Sequence, residues 1–320
     1  LLCRVICAGI NPCDAKFQIG DKVPHWARDV ARMAMEGRAV GFDFSGVVVD
    51  APPGCPGFSI GDSVFGTLPS GAGTLTHYVQ APMDQIAKKP TSLSFAEAGA
   101  LPIVGLTAMQ ALVFDNHLSK SQRLLVIGGS GGVGHVAIQI ARAIGAQVTS
   151  VCGPRNSKFV EALGAENIID YTKGSDFILS ELKRLTSLEG PFDLCLDTVS
   201  SNEEQDAVYQ YRRLIMANND GRRLVRGKYI TIGGSTSEWA RALVKKLVGM
   251  NLFGQQELFW VSFPGSRRAL EQLKALTEAQ QLRPTVSEIF PFEEEAVQTA
   301  FERLHSRRTV GKLVVQVSPN

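Results

Sequence analysis

The stretch Leu124 to Ala146, LLVIGGSGGVGHVAIQIARAIGA, leaves backbone bare at the spacing that phosphate binding needs. Gly129, Gly131 and Gly134 form G-x-G-x-x-G directly after a strand-like run and ahead of a helical one. In such a turn the first glycine, Gly129, supports the tight bend. The second, Gly131, lets the backbone approach a pyrophosphate, and the third, Gly134, lets helix and strand pack closely. Ser130, Gly132 and Val133 complete the turn, and the helix start offers N–H groups with no intrahelical partner. Val133, Val136, Ala137, Ile140, Ala141 and Ile144 recur at helical spacing, so one face is expected to pack on a sheet. The spacing predicts dinucleotide binding.

The same letters satisfy G-x-x-x-G-x-G through Gly128, Gly132 and Gly134, the turn of short-chain dehydrogenases. That reading is disfavoured because the turn lies far from the start of the chain and no Y-x-x-x-K pair occurs at any tyrosine. The next strand, QVTSVC, bears on which dinucleotide is bound. Enzymes preferring NAD place Asp or Glu at its tip, where the ribose 2′-hydroxyl is held. Here the tip reads Cys152-Gly153-Pro154-Arg155-Asn156-Ser157-Lys158, with two cations and no carboxylate. A 2′-phosphate gains charge-assisted hydrogen bonds from such a tip, and Arg155 suits it better than Lys158 because its planar fork matches phosphate geometry. NADPH is therefore expected over NADH.

These residues need elements to position them, and the chain shows two textures. Residues 1 to about 100 are rich in Gly, Pro and short β-like runs. From Leu101, the strand-length runs RLLVI, QVTSV, NIID, FDLCLD and KYITI alternate with helical segments, as in a parallel sheet covered by helices. Two further helices then flank TVSEIF, and the chain closes on the strand GKLVVQV. The expected α/β organisation is a β-rich domain over residues 1–112, a Rossmann doubly wound parallel sheet domain over 113–258, and a return to the first domain over 259–320. A length of 320 residues suits two domains. With 33 Lys and Arg against 31 Asp and Glu, the balance gives no general pull toward nucleic acid or an anionic membrane. No apolar run is long enough to span a bilayer. The six cysteines form no C-x-x-C pair, which points to reduced thiols in a reducing intracellular compartment. The cytoplasm is the first expectation. Mitochondria are the alternative, because the chain opens inside an apparent strand with no initiator Met.

Read together, the motifs resemble the medium-chain dehydrogenase/reductase superfamily, in its zinc-free quinone oxidoreductase (zeta-crystallin-like) branch. AGINPCDAKFQIG, GFDFSGVV, FSIGDSVFG, LSFAEAGALPIVGLTAMQAL, LGAENIIDY and GKLVVQV are similar to that family's landmarks and follow in order. CGPRNSKFVEALGA and the C-terminal LRPTVSEIFPFEEEAVQTAFERLHSRRTVGKLVV are nearest to the mitochondrial reticulon-interacting and chloroplast-envelope quinone oxidoreductase groups. The resemblance implies a GroES-like catalytic domain, a Rossmann domain holding NADPH, and a homodimer as a common assembly. It implies that Asn11 lies near the nicotinamide, that Asp14 orients the Asn11 loop and that Thr107 faces the nicotinamide. It further implies cofactor contacts from Tyr171, Gly233 and Lys312, beside Asn156 at the strand tip. Four of these have a plainer alternative: an Asn-Pro turn for Asn11, a helix-start hydroxyl for Thr107, a surface aromatic for Tyr171 and the start of a strand for Lys312.

Two departures from the pattern stand out. The family's tyrosine for enoyl-thioester reduction is absent, since Asp21 and Lys22 follow Gly20. A long stretch, residues 202–228, precedes the strand KYITI. The zinc ligands of the metal-dependent relatives align with Asn11, Phe42-Asp43 and Ile103, a set that cannot make a tetrahedral N/S site, so no metal is expected. Without a Lewis acid the substrate must already be electrophilic, and a quinone or an α,β-unsaturated carbonyl fits. Beside a partner-docked assembly protein, which rests on the resemblance to the reticulon-interacting group alone, two other readings remain. One is a 2-enoyl thioester reductase. The other is a NADPH-binding regulator or nucleic-acid-binding protein of little turnover, suggested by the basic cluster Arg212, Arg213, Arg222, Arg223, Arg226 and Lys228.

Overall fold

The computed structural model describes residues 1–16, 40–68, 72–199, 215, 223–232, 256–258 and 266–319. The chain divides into two compact units, Leu1–Leu106 with Ser262–Asn320, and Thr107–Val261.

The first unit is built on one sheet, its strands numbered along the whole chain: β1 (Leu2–Ile10), β2 (Asp43–Asp50), β3 (Ser63–Thr67), β4 (Tyr78–Gln80), β5 (Ile86–Lys88), β12 (Val286–Pro291) and β13 (Lys312–Gln316). The order is β12-β13-β1-β2-β3-β5, with β4 also on β1. β1 is buried on both faces, and a β-bulge between Val5 and Cys7 explains how. Before it Cys3 and Val5, and after it Ala8 and Ile10, face one core with Phe44, Val64 and Leu313. The bulged residues Ile6 and Cys7 face the other side, against Ala100 and Val314.

That other side is covered by α2 (Phe95–Ala100), which follows the short α1 (Pro12–Lys16) in the chain. Ser94 starts α2 with a capping box: its hydroxyl accepts the Glu97 N–H at 3.2 Å, and the Glu97 carboxylate accepts the Ser94 N–H at 2.9 Å. Gly9 lets the helix settle, since a Cβ there would lie 2.4 Å from the Gly99 carbonyl oxygen. The antiparallel registers then matter for chemistry. Ile10 faces Leu313, and Gly9 faces Asp43. The end of β1 and the starts of β2 and β13 therefore lie side by side.

The second unit carries a parallel sheet of β6 (Arg123–Ile127), β7 (Gln147–Cys152), β8 (Asn167–Asp170), β9 (Phe192–Asp197), β10 (Val225–Thr231) and β11 (Gln256–Leu258). Its order, β11-β10-β9-β6-β7-β8, is the doubly wound 3-2-1-4-5-6 arrangement counted from β6. α3 (Pro102–Met109) spans the division between the units in sequence, and α4 (Gly132–Ile144), α5 (Ser157–Leu163) and α6 (Ser175–Glu189) follow β6, β7 and β8. The expected single apolar stripe on α4 needs correction. The helix is buried all round from Gly134 to Ala141, with His135, Ile138 and Gln139 included, whereas Val133 and Ile144 are only half-buried. The helix approaches the β6 turn closely at Gly134 and packs against α5, so its flank is covered as well as its stripe.

At the carboxyl ends of the strands, Asp197 closes β9 as a fully buried carboxylate. It accepts the Tyr229 hydroxyl at 2.8 Å and the Val199 N–H at 3.0 Å. Tyr229 is itself fully buried, so this bond ties the tips of β9 and β10 without water. Tyr229→Phe leaves one carboxylate oxygen short of a charge-assisted donor and should destabilise the protein by about 1.5–3 kcal/mol. A lowered thermal midpoint would check it. An unchanged midpoint would mean that the bond contributes nothing net.

Candidate functional site

The residues singled out in the second unit gather on loops at the carboxyl edge of its sheet, where doubly wound folds bind ligands. β6 hands the chain to Gly128, whose φ of +84° suits glycine, and a Cβ there would lie 2.1 Å from Val199 Cγ2. The left-handed residue of the tight bend is thus Gly128, one residue ahead of the G-x-G-x-x-G motif. Gly129 is bare for a packing reason, because its Cβ would lie 2.0 Å from the Ser150 hydroxyl oxygen. Gly134 matches its expected place: a Cβ would lie 2.2 Å from the Gly128 carbonyl oxygen. Gly131 differs from all three. Its φ is −80°, and the nearest described atom to a Cβ is a carbonyl oxygen at an ordinary 3.4 Å. Neither backbone strain nor packing among the described residues requires glycine there, as expected where a ligand takes the space of a Cβ. His135 N–H makes the first bond of α4, to the Gly131 carbonyl at 3.0 Å. The N–H groups of Gly132, Val133 and Gly134 precede it and have no intrahelical acceptor.

The neighbouring loops join this turn. Asn156 Nδ2 donates to the Ser130 hydroxyl at 3.0 Å, linking the tip of β7 to the glycine turn. Arg155 and Lys158 are exposed, and neither forms an ion pair among the described residues. Tyr171, about half exposed, lies across Gly153, where a Cβ would sit 3.3 Å from its ring. Asp170 fixes that turn by accepting the Thr172 N–H at 2.9 Å and its hydroxyl at 2.7 Å. A dinucleotide fits this edge. Gly233 lies outside the described residues.

In the first unit Asn11, Asp14 and Lys312 come together around a residue absent from the expected site, Asp43. All four are buried. Asn11 Nδ2 donates to Asp43 Oδ2 at 3.0 Å and to the Gly9 carbonyl at 3.4 Å. Lys312 Nζ donates to the Ile10 carbonyl at 2.8 Å and to Asn11 Oδ1, and lies 3.6 Å from Asp43 Oδ2. The Asn11 N–H donates to Asp14 Oδ2 at 2.7 Å, and the Ile103 N–H to Asp43 Oδ1 at 2.8 Å. Among the described residues the buried Asp14 Oδ1 has no hydrogen-bond partner. Burial pushes the Asp14 carboxyl up to about 7, with the Asn11 N–H opposing the rise and the Asp43 charge adding to it. Burial likewise lifts Asp43 to about 6 against the pull of Lys312 and Asn11. Two carboxylates and one ammonium would leave a net negative charge out of water, and a proton held by Asp14 relieves it. The Cys13 thiol, pushed up to about 12 by burial and then by Asp14 and Asp43, is no nucleophile.

This set does not fit zinc. Asn11 and Asp43 are bonded to each other, Ile103 offers no ligand, and the Lys312 ammonium lies among them, where it would repel a dication. Among the described residues no group of three or more His, Cys, Asp or Glu is placed to hold a metal. Thr107 is buried in the middle of α3 rather than at its start. Of the basic cluster, Arg226 is paired with Asp193, while Arg212, Arg213 and Arg222 lie outside the described residues. No helix among the described residues is long and apolar enough to cross a membrane. Asp43 was not counted among the expected site residues because GFDFSG reads as a strand; the available signals were a carboxylate flanked by two phenylalanines and its alignment, with Asn11 and Ile103, to the zinc-ligand positions of metal-dependent relatives.

A β-sheet unit with this polar knot and a doubly wound unit with a phosphate turn define a medium-chain oxidoreductase, and comparison with known proteins agrees. Residues 1–91 match the alcohol dehydrogenase GroES-like domain, and residues 163–315 match the family described as zinc-binding dehydrogenase. The mitochondrial NAD(P)H oxidoreductase RTN4IP1 of Mus musculus is 32% identical over 342 aligned positions, covering 99% of this chain and 81% of its own length. The trans-enoyl reductase pgmF of Aspergillus terreus is 29% identical, covering 99% of this chain and 86% of its own. The solved quinone oxidoreductase of Coxiella burnetii superposes with a TM-score of 0.75 at 29% identity, over 99% of this chain and 90% of that one. The chain belongs to the medium-chain dehydrogenase/reductase superfamily, with quinone oxidoreductase-like neighbours.

The buried acid yields a pH signature. Folding raises the Asp14 pKa above its ordinary 3.8, so the folded state holds this proton more tightly than the unfolded chain. The stabilisation from Asp14 is therefore full below the ordinary value and is lost as pH rises toward about 7. Wild-type stability in urea should fall between mildly acidic and mildly basic buffer, and Asp14→Asn should flatten that slope. Parallel slopes for the two proteins would place the titration elsewhere.

Proposed function

We propose that this chain is a NADPH-dependent, zinc-independent reductase that delivers hydride to a quinone or an α,β-unsaturated carbonyl. The observation that carries the cofactor choice is the tip of β7, where Arg155 and Lys158 stand exposed with no ion pair among the described residues and no carboxylate occupies the turn Gly153–Lys158. A 2′-phosphate would find the Arg155 fork there, with Lys158 behind it and Asn156 holding the tip to Ser130. The N–H groups of Gly132, Val133 and Gly134 and the helix start would take the pyrophosphate, with Gly131 giving it room and Gly129 letting the turn close on β7. Tyr171 would lie along the adenosine, and Gly233 would contact the nicotinamide half.

NADPH, when bound, supplies the hydride. Asn11 meets the reacting end of the complex, Asp14 orients its loop, and Thr107 faces the nicotinamide. Lys312, expected as a cofactor contact, is better read as holding Asn11, since its ammonium bonds the Ile10 carbonyl and Asn11 Oδ1. With no metal to polarise a carbonyl, the acceptor must spread the incoming charge itself, as a quinol or an enolate does. Relatives named quinone oxidoreductase and trans-enoyl reductase support a conjugated acceptor.

The test is cofactor oxidation, followed by absorbance, against a benzoquinone, an ortho-quinone, an alkenal, an enone and an enoyl thioester. Faster turnover with NADPH than with NADH on a quinone, alkenal or enone is the expected result. Preference for the enoyl thioester would instead favour the thioester reductase, and silence with every acceptor would overturn the enzyme reading. Arg155→Ala should weaken NADPH binding by about 10- to 100-fold, the worth of a charge-assisted hydrogen bond, and leave NADH binding nearly unchanged. Equal weakening of both would remove Arg155 from the 2′-phosphate site.

A further inference from the structure

The hydrogen bonds around Asn11 fix more than its position. A carboxamide has two faces of opposite polarity, and a buried one is oriented by its neighbours. On one side Asn11 meets the Asp43 carboxylate at 3.0 Å and the Gly9 carbonyl at 3.4 Å, and the carbonyl can only accept. On the other it meets the Lys312 ammonium, which can only donate. Turning the amide over would set its oxygen against two acceptors and its NH2 against an ammonium. The NH2 therefore faces Asp43 and Gly9, with both hydrogens engaged. What remains for any further partner is one lone pair on Oδ1.

That limit bears on the reaction, since a developing oxyanion needs donors and Asn11 has none free. We propose that Lys312 and Asp43 are positioning residues that lock the Asn11 carboxamide with its oxygen as the only group open to a ligand, so that Asn11 accepts a hydrogen bond from a primary-amide N–H. The nicotinamide carboxamide carries such a group. The proposal rests on the reading that Asn11 meets the reacting end of the cofactor. It assigns Asn11 the task of fixing the ring, and leaves charge stabilisation to the acceptor's own conjugation. Lys312 acts through Asn11: its ammonium holds the amide oxygen, and the backbone carbonyl of Ile10 holds the ammonium. Asp43 completes the lock from the other side, its second oxygen held by the Ile103 N–H at 2.8 Å.

The experiment compares NADPH with its reduced 3-acetylpyridine analogue, in which a methyl group replaces the amide NH2 and the carbonyl is kept. Asn11→Ala should weaken NADPH binding, titrated by fluorescence without acceptor, and lower kcat/KM with NADPH, each by about tenfold, the size of one hydrogen bond. With the analogue, which has no N–H to offer, wild type and Asn11→Ala should agree within about twofold on the same scale. Lys312→Met should reproduce this cofactor-selective loss, and Lys312→Arg, which restores a cationic donor, should recover part of it. A purely structural role would lower activity with both cofactors alike and show no such selectivity. Equal loss with NADPH and the analogue would overturn the acceptor role while keeping Asn11 at the reacting end. No loss with either cofactor would overturn the reading of Asn11 itself. Thermal melting checks that each variant folds. If Lys312→Met does not fold, Asn11→Ala and Asn11→Ser still decide the question.

Discussion

An ammonium cannot be taken out of water without partners, and at the start of β13 the chain does so with Lys312. Its partners come from elsewhere in the sequence: the Ile10 carbonyl and Asn11 at the end of β1, and Asp43 at the start of β2. For those atoms to meet, both antiparallel registers of β1 must be correct, and a slip of one residue would strand the charge. The bulge between Val5 and Cys7 and the close contact of Gly9 with Gly99 serve that alignment. Buried ion pairs contribute little net stability compared with an apolar core, yet breaking one is expensive. The knot therefore acts less as glue than as a condition on register, and the same condition prepares the Asn11 amide.

The second unit obeys a different constraint, closeness of backbone. Three glycines of the β6–α4 turn are bare for three separate reasons: a left-handed φ at Gly128, the Ser150 hydroxyl against Gly129, and the Gly128 carbonyl against Gly134. These draw the helix start up to the strand end and aim its first N–H groups outward. Gly131 is the exception that gives the turn a purpose, because nothing among the described residues occupies the place of its Cβ beyond ordinary contact. The Asn156–Ser130 bond and the Tyr171 ring on Gly153 then carry the neighbouring loops into the same edge.

What the sequence disclosed follows from what is local. Strand-length apolar runs alternating with helical ones are read from spacing alone, and the doubly wound sheet was legible for that reason. The capping box at Ser94 and Glu97 is equally local. Which glycine takes the left-handed conformation was not legible, because GGSGG offers several and only the neighbouring Val199 and Ser150 distinguish them. The all-round burial of α4 depends on what packs over its flanks, which periodicity does not record. Asp43 was hidden for a deeper reason. Its partners Asn11 and Lys312 stand far from it in sequence, and a carboxylate's need for partners becomes visible only once strands are paired.

The positive charge of Lys312 stands at the positions that, by motif alignment, metal-dependent relatives use for zinc. An ammonium differs from a metal ion there in one decisive respect. A metal with an open coordination position can polarise a carbonyl, whereas this ammonium donates two of its hydrogens to Ile10 and Asn11 and sets its charge against Asp43. Its field is directed inward, at the geometry of one amide. On the proposed function the acceptor's own conjugation would have to accommodate the hydride, because the Lys312 ammonium is committed to Ile10 and Asn11.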